Sequence, residues 1–355
     1  MTSPILFAGG EDLDLFSPNG WPTVVSSPNN TIDTTSGRFR SGYARYALSA
    51  NWNQHSNPAS FYIPSGLYSS SLFWTTYRVY ANTLWSGFGS TYAIHTWYDT
   101  SGLARLRIKF NGTNCQFYTV NASGTETQLG GNFSVTGPPA LQSNKIDIFI
   151  NYAVAGQFTV YFNGTSVFSY SGDITTNSVT VLDSKLDFNV WNNATGQSGY
   201  FAYSEIIVAT RDTRNMSLVT QASMANGNTH NWDGGTATNL ASTSETTGDA
   251  SPNYASSAGL IQEYEVTPAL PSGNFSVISV IHKARATAGT SGPTKFDFMI
   301  RFAATDYTSP DQSLGSSWIT YSYSWDLNPN TLAAWQTSDL AASSTAFNMG
   351  LQSVT

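Results

Sequence analysis

The apolar residues of this chain recur at every second position, run after run, and almost nowhere at the 3.6-residue period of a helix. Ile146, Ile148 and Ile150 alternate with Asp147, Phe149 and Asn151. Phe158, Val160 and Phe162 alternate with Thr159 and Tyr161; Asn163 and Gly164 follow, then Val167 and Phe168. An Asn-Gly pair between two such runs marks a hairpin, because a type I′ turn needs positive φ at both central residues. Leu106, Ile108 and Phe110 alternate against Arg105, Arg107 and Lys109, and Asn111-Gly112 ends that run before the next one toward Phe117. Further runs lie at 186–190 and 206–208. Short strands with polar turns at this spacing predict an all-β chain of sandwich or barrel type.

With 355 residues the chain has room for two domains. We expect an N-terminal arm over 1–19, a first β-sandwich over 20–212 and a second over 213–355, with the boundary in the stretch 211–221, RDTRNMSLVTQ. The second series opens on Asn231-Trp232-Asp233-Gly234-Gly235 and continues with strands at 260–266, 275–286, 295–303 and 318–325. In the third of these, Phe296, Phe298, Ile300 and Phe302 point one way and Lys295, Asp297, Met299 and Arg301 the other, the mark of a half-buried antiparallel strand. A short helix is expected within 331–340, and a last edge strand around 347–354.

Composition excludes several classes. A single cysteine, Cys115, rules out an intramolecular disulfide and a Cys-rich metal centre. Only 10% of residues are charged, and the formal net charge is -7. Nucleic acid needs basic clusters, and the one local group, Arg105, Arg107 and Lys109, is too small, so no nucleic-acid partner is expected. No stretch of 18 apolar residues occurs, so no membrane-spanning helix is expected. The opening MTSPILFAGGEDLDLF lacks a basic n-region, and no signal peptide is expected from it.

Catalytic constellations are sparse. A sandwich that hydrolyses glycans carries two carboxylates on one face, as an E-x-D-x-E strand does. Asp147 and Asp187 stand alone in their strands and are read as solvated. The acidic group Glu11, Asp12 and Asp14 lacks the spacing of a calcium loop and reads as part of an exposed arm or a subunit contact. His55, His95, His230 and His282 form no metal-ligand pair. No catalytic residue, metal ligand or cofactor is therefore assigned, and the chain is expected not to be an enzyme. The informative excess is aromatic, with 10 Trp, 19 Tyr and 20 Phe. Trp and Tyr stack on sugar rings and anchor interfaces. Trp74, Tyr77, Trp97 and Tyr98 are the candidates for glycan or interface contact.

Residues 146–172, IDIFINYAVAGQFTVYFNGTSVFSYSG, resemble the strand–turn–strand–Asn-Gly–strand module of the concanavalin A-like lectin/glucanase family, and FAYSEIIVAT at 201–210 resembles its closing strand. The resemblance implies a jelly roll of two antiparallel sheets and a face for glycan. Residues 200–355 resemble an assembly module of tailed-phage virion proteins, through Asp212-Thr213-Arg214, Ala284-Arg285-Ala286, Gly292-Pro293-Thr294 and Asn328-Pro329-Asn330 leading to Ala334-Trp335. The start, ILFAGGEDLDLF, is similar to the start of such proteins. That resemblance implies a structural protein of the virion, tail-associated, made in the bacterial cytoplasm and forming homo-oligomers with other virion proteins as partners. Trp325, Pro329 and Trp335 would be assembly contacts. A capsid decoration or head-fibre protein, and a module binding host-surface glycan, are the alternatives.

Overall fold

In the computed structural model the alternating runs become antiparallel ladders. The structure describes residues 5–9, 30–33, 45–50, 59–62, 69–81, 92–111, 114–134, 143–176, 182–183, 186–191, 199–219, 223–232, 254–266, 274–317, 319–340 and 347–355. These fall into two compact units, one within 4–218 and one within 219–355. Glu11, Asp12, Asp14 and the Asp187 side chain lie outside the described residues.

The strands of the first unit begin with β1 (Ile5–Gly9), β2 (Asn30–Asp33), β3 (Arg45–Ala50), β4 (Ala59–Tyr62) and β5 (Ser69–Ser70). The long central strands follow: β6 (Leu72–Ala81), β7 (Tyr92–Tyr98), β8 (Ala104–Asn111), β9 (Asn114–Val120) and β10 (Glu126–Ser134). Then come β11 (Ser143–Asn151), β12 (Gly156–Phe162), β13 (Thr165–Gly172), β14 (Leu182–Asp183), β15 (Leu186–Trp191) and β16 (Gly199–Ala209). An eight-stranded sheet runs β13-β12-β11-β6-β16-β3-β2, with β1 also paired to β16. A six-stranded sheet runs β10-β9-β8-β7-β15-β4. Every ladder is antiparallel. Residues 5–9 of the expected arm are thus a strand on β16, opposite 206–209.

The two sheets meet through the inward half of each alternation. Phe73, Tyr77 and Val79 of β6, Ile146, Ile148 and Ile150 of β11, and Phe158 and Val160 of β12 are buried. So are Trp97, Leu106, Ile108, Cys115 and Phe117 from the six-stranded sheet. Phe117 stacks on Phe158 at 3.7 Å between ring centroids, and Trp97 meets Phe158 edge-on at 6.0 Å. Removing this surface from water, at about 25 cal/mol per Å², is what holds the sandwich together. The Asn163-Gly164 turn joins β12 to β13 with φ of 49° and 83°, the I′ geometry that only such a pair adopts without strain.

The second unit is built from β17 (Ser223–His230), β18 (Ile261–Val266), β19 (Val280–Ala286), β20 (Lys295–Phe302), β21 (Thr305–Thr308), β22 (Gln312–Ser313), β23 (Ile319–Trp325) and β24 (Asn348–Val354). One sheet runs β17-β18-β24-β20-β21 with β22 also on β20; β19 and β23 form a second, two-stranded sheet. Phe296, Phe298, Ile300, Trp325, Trp335, Leu340 and Phe347 share its core. The chain is therefore all-β, built of antiparallel sheets in sandwich-like units, as the alternation predicts.

Three expectations change. β24 is not an edge strand; it lies between β18 and β20, where the small Gly350 lets the neighbouring backbone approach. β20 is covered on both faces over most of its length, with Asp297 and Met299 buried beside the phenylalanines. The expected helix is a single 3-10 turn at Thr337–Leu340, because Asn328 organises 328–333 as a turn: its N–H and C=O bond to Ala333 O and Leu332 N.

Candidate functional site

The aromatic candidates separate by face. Tyr77 and Trp97 are fully buried between the sheets, so the expectation that they touch a ligand is corrected. Both sit on the inward half of the strand alternation, and the Tyr77 hydroxyl lies 2.6 Å from His95 Nδ1. Burial pushes the His95 pKa down to about 3. Tyr98 is half-buried at the end of β7.

Trp74 lies on the outer side of the eight-stranded sheet. Its ring is 5.1 Å from Phe149 and 5.8 Å from Tyr161, and the Arg214 guanidinium stands over Trp74 and Tyr161 at 5.4 and 4.7 Å. Asp212 holds that guanidinium. Next to it Lys145 Nζ donates to the carbonyls of Thr213, Arg214 and Met216 at 2.7–2.9 Å and lies 3.2 Å from Asp147. Asp147, read as solvated, is fully buried, because residues 212–216 fold back over it. Residues 212–216 of the expected boundary stretch 211–221 pack on this sheet, and the two units divide within that stretch, after Leu218.

The assembly candidates are also mostly interior. Trp325 and Trp335 are buried, and Trp335 Nε1 donates to the Trp325 carbonyl at 2.6 Å. They are core residues rather than contacts, since each indole fills the space beside Phe302 or Tyr323. Pro329 is half-buried in the turn that follows β23.

What the sequence reading did not single out is the outer side of β8, β9 and β10. The same alternation that buries Leu106, Ile108, Cys115 and Phe117 turns Arg107, Lys109, Gln116 and Tyr118 outward, and the hairpin brings up Glu126, Gln128 and Asn132. Arg107 stands opposite Tyr118, and Tyr118 opposite Gln128, so one row crosses three strands. Arg107 and Lys109 both donate to Glu126, Lys109 at 2.5 Å, and Arg107 Nε also reaches the Thr96 hydroxyl at 3.1 Å. Tyr118 donates to Gln116 Oε1 at 2.7 Å; Gln116 and Gln128 both donate to Asn132 Oδ1, at 3.0 and 2.9 Å. Lys109 Nζ lies 4.7 Å from the Tyr118 ring centroid. A bulge between Leu129 and Phe133, at Gly130-Gly131, puts Asn132 within reach of both glutamines.

This surface is open to solvent without being loose. The side chains of Arg107, Lys109 and Glu126 are 26, 20 and 22% exposed. Burial alone would raise the Glu126 pKa, but the hydrogen bonds from Lys109 and Arg107 outweigh it and hold the carboxyl below its usual range. Planar amides, a phenol and two fixed cations offer donors and acceptors to a polyol lying flat on the sheet. The signal was in the sequence: Arg107 and Lys109 followed by Gln116, Tyr118, Glu126 and Gln128 at even spacing across two turns. Among the described residues, no group of three or more His, Cys, Asp or Glu is placed to hold a metal, and no helix is long and apolar enough to cross a membrane.

No family model and no curated protein matches the sequence. Solved structures similar in fold include an endo-β-1,4-glucuronan lyase from the fungus Trichoderma reesei, at 13% identity and a TM-score of 0.46, covering 58% of this chain and 96% of that one. An alginate lyase from Chlorella virus matches at 15% identity and a TM-score of 0.40, covering 58% and 100%. The receptor binding domain of botulinum neurotoxin type G matches at 11% identity and a TM-score of 0.36, covering 60% and 50%. The expectation that the chain is not an enzyme is corrected on this finding, since proteins of this likeness are named as lyases. Its ground was the missing carboxylate pair, which is a test of glycoside hydrolysis and not of elimination.

Proposed function

We propose that the first unit is a carbohydrate-binding module whose ligand lies across the outer side of β8, β9 and β10. The observation that carries this reading is the fixed row Gln116–Asn132–Gln128 beside Tyr118, Arg107 and Lys109, whose polar atoms are held in place by one another before a ligand arrives. Preorganised amides and a phenol on one sheet face suit hydroxyl groups at sugar spacing. The named relatives in fold act on glucuronan and alginate, which accords with a glycan as ligand. The test is a glycan array and calorimetry with the full chain and with a Gln116→Ala, Gln128→Ala variant. Binding to a polysaccharide, weakened about tenfold or more by the paired change, supports the reading. Silence across the array, or binding that the variant leaves unchanged, overturns it. New reducing or unsaturated ends in the same incubations separate cleavage from binding.

For the setting of this face we propose the exterior of a tailed-phage particle, tail or capsid, where a host-surface glycan is within reach. This rests on the resemblance of 200–355 and of the opening residues. Density for this chain in cryo-electron micrographs of the particle supports it; absence of the chain from purified particles by mass spectrometry overturns it.

A further inference from the structure

We propose that the glycan is acidic, and that a sugar carboxylate takes the place of Glu126 between Arg107 and Lys109. This rests on the glycan reading above and adds the charge class of the ligand and the residue that sets it. Two cations on alternate positions of β8 converge on one carboxylate from β10, so the cluster carries one positive charge in a chain whose net charge is -7. Other ion pairs among the described residues are built differently, each cation of Arg78–Glu205, Lys145–Asp147 and Lys295–Asp311 having its own carboxylate. Arg105 and Asp99 are closed off from water, and the Asp99 carboxylate is also bonded by the N–H groups of Ser101 and Leu103. Arg301 is shared by two carboxylates, Glu263 and Asp306. Arg214 and Asp212 are neighbours in sequence on an exposed turn.

Among the described ion pairs, Arg107 and Lys109 are in surplus over their carboxylate while remaining partly exposed, on a face with fixed donors. Glu126 opens the sheet's outermost strand, directly after the exposed turn 121–125, and its side chain is itself 22% exposed. Arginine's planar fork takes carboxylates in two-point contact, and lysine adds an unoriented charge. Glu126 therefore acts as an internal stand-in. It keeps the two cations in position, and it makes neutral glycans and isolated anions poor competitors, because neither supplies both the charge and the hydroxyl contacts along Gln116 and Gln128.

The test is calorimetric titration of the full chain, wild type and Glu126→Gln, with a polyuronate and with the same polymer after reduction of its carboxyl groups to alcohols. The expected result is polyuronate binding that weakens with added salt, at least about tenfold weaker binding of the reduced polymer, and a several-fold gain for polyuronate in Glu126→Gln. Equal affinity for both polymers overturns the acidic class and leaves the glycan reading standing; no binding of either polymer, or of any glycan on the array, removes both. Unchanged or weaker polyuronate binding by Glu126→Gln, with its melting curve intact, overturns the exchange. If that variant does not fold, the wild-type comparison of the two polymers still decides the charge class.

Discussion

The Lys145 ammonium stands 3.2 Å from the Asp147 carboxylate, two residues along one strand, and Asp147 has no contact with water. The carboxylate also accepts from the Thr76 hydroxyl at 2.6 Å, and the ammonium is spent on three carbonyls of the segment that covers it. Burial lowers the Lys145 pKa, and the Asp147 charge offsets part of that. The pair ties residues 212–216 to the eight-stranded sheet. Asp147→Ala leaves a mostly buried ammonium without its counter-charge and is expected to cost about 3 kcal/mol. Urea denaturation followed by fluorescence measures it; a loss under 1 kcal/mol would show that the segment is held by other means.

His95 is buried and neutral, with a pKa of about 3 against 6.5 for the free side chain. His282, buried against Phe298 in the second unit, is shifted alike. The unfolded chain takes up these protons as pH falls below 6.5, while the folded chain does not until about 3. Stability is thus full above pH 6.5 and falls as the pH drops toward 3, by at most about 1.4 kcal/mol per pH unit for each histidine. Between pH 6.5 and 5, before most carboxylates titrate, His95→Asn should flatten the pH dependence of the first unit's unfolding transition. An equally steep slope in the variant would refute the assignment.

Trp335→Phe removes the indole N–H that bonds the Trp325 carbonyl and part of the ring volume beside Phe302 and Phe347. The combined loss is expected at about 2 kcal/mol. It should appear as a lower melting temperature of the second unit.

Gly350→Ala should destabilise the second unit by about 1–3 kcal/mol. A methyl group there would sit 2.6 Å from the Gln262 carbonyl oxygen and 2.9 Å from Met299 Cε, so backbone must shift in the middle of the sheet. Thermal unfolding of the variant reports this directly, and a melting point equal to wild type would mean that β18 and β24 can separate at little cost.

The strands were legible because burial on one face of a sheet imposes a two-residue period that no tertiary detail can hide. Leu106, Ile108, Ile146, Ile148, Phe158 and Val160 are inward by that period, and Asn163-Gly164 turns where a two-residue hairpin requires positive φ. The candidate site was half legible. Alternation alone places Arg107 and Lys109 outward, but it does not show their partner Glu126, which lies across two hairpins.

Aromatic type, by contrast, carries no address. Trp97 and Trp335 are core and Trp74 lies on an outer face, although all three are large indoles of the same type. Which ring meets solvent depends on which strands are neighbours, and those pairings join residues as far apart as Thr76 and Ile207. Asp147 shows the same division. Its outward position on β11 follows from the alternation alone, but its burial was decided by residues 212–216, more than sixty positions later, folding back to cover it. The local period determined the strands and which side chains share a face; the long-range pairing of strands and the path of the covering segment determined which of those faces a ligand can reach.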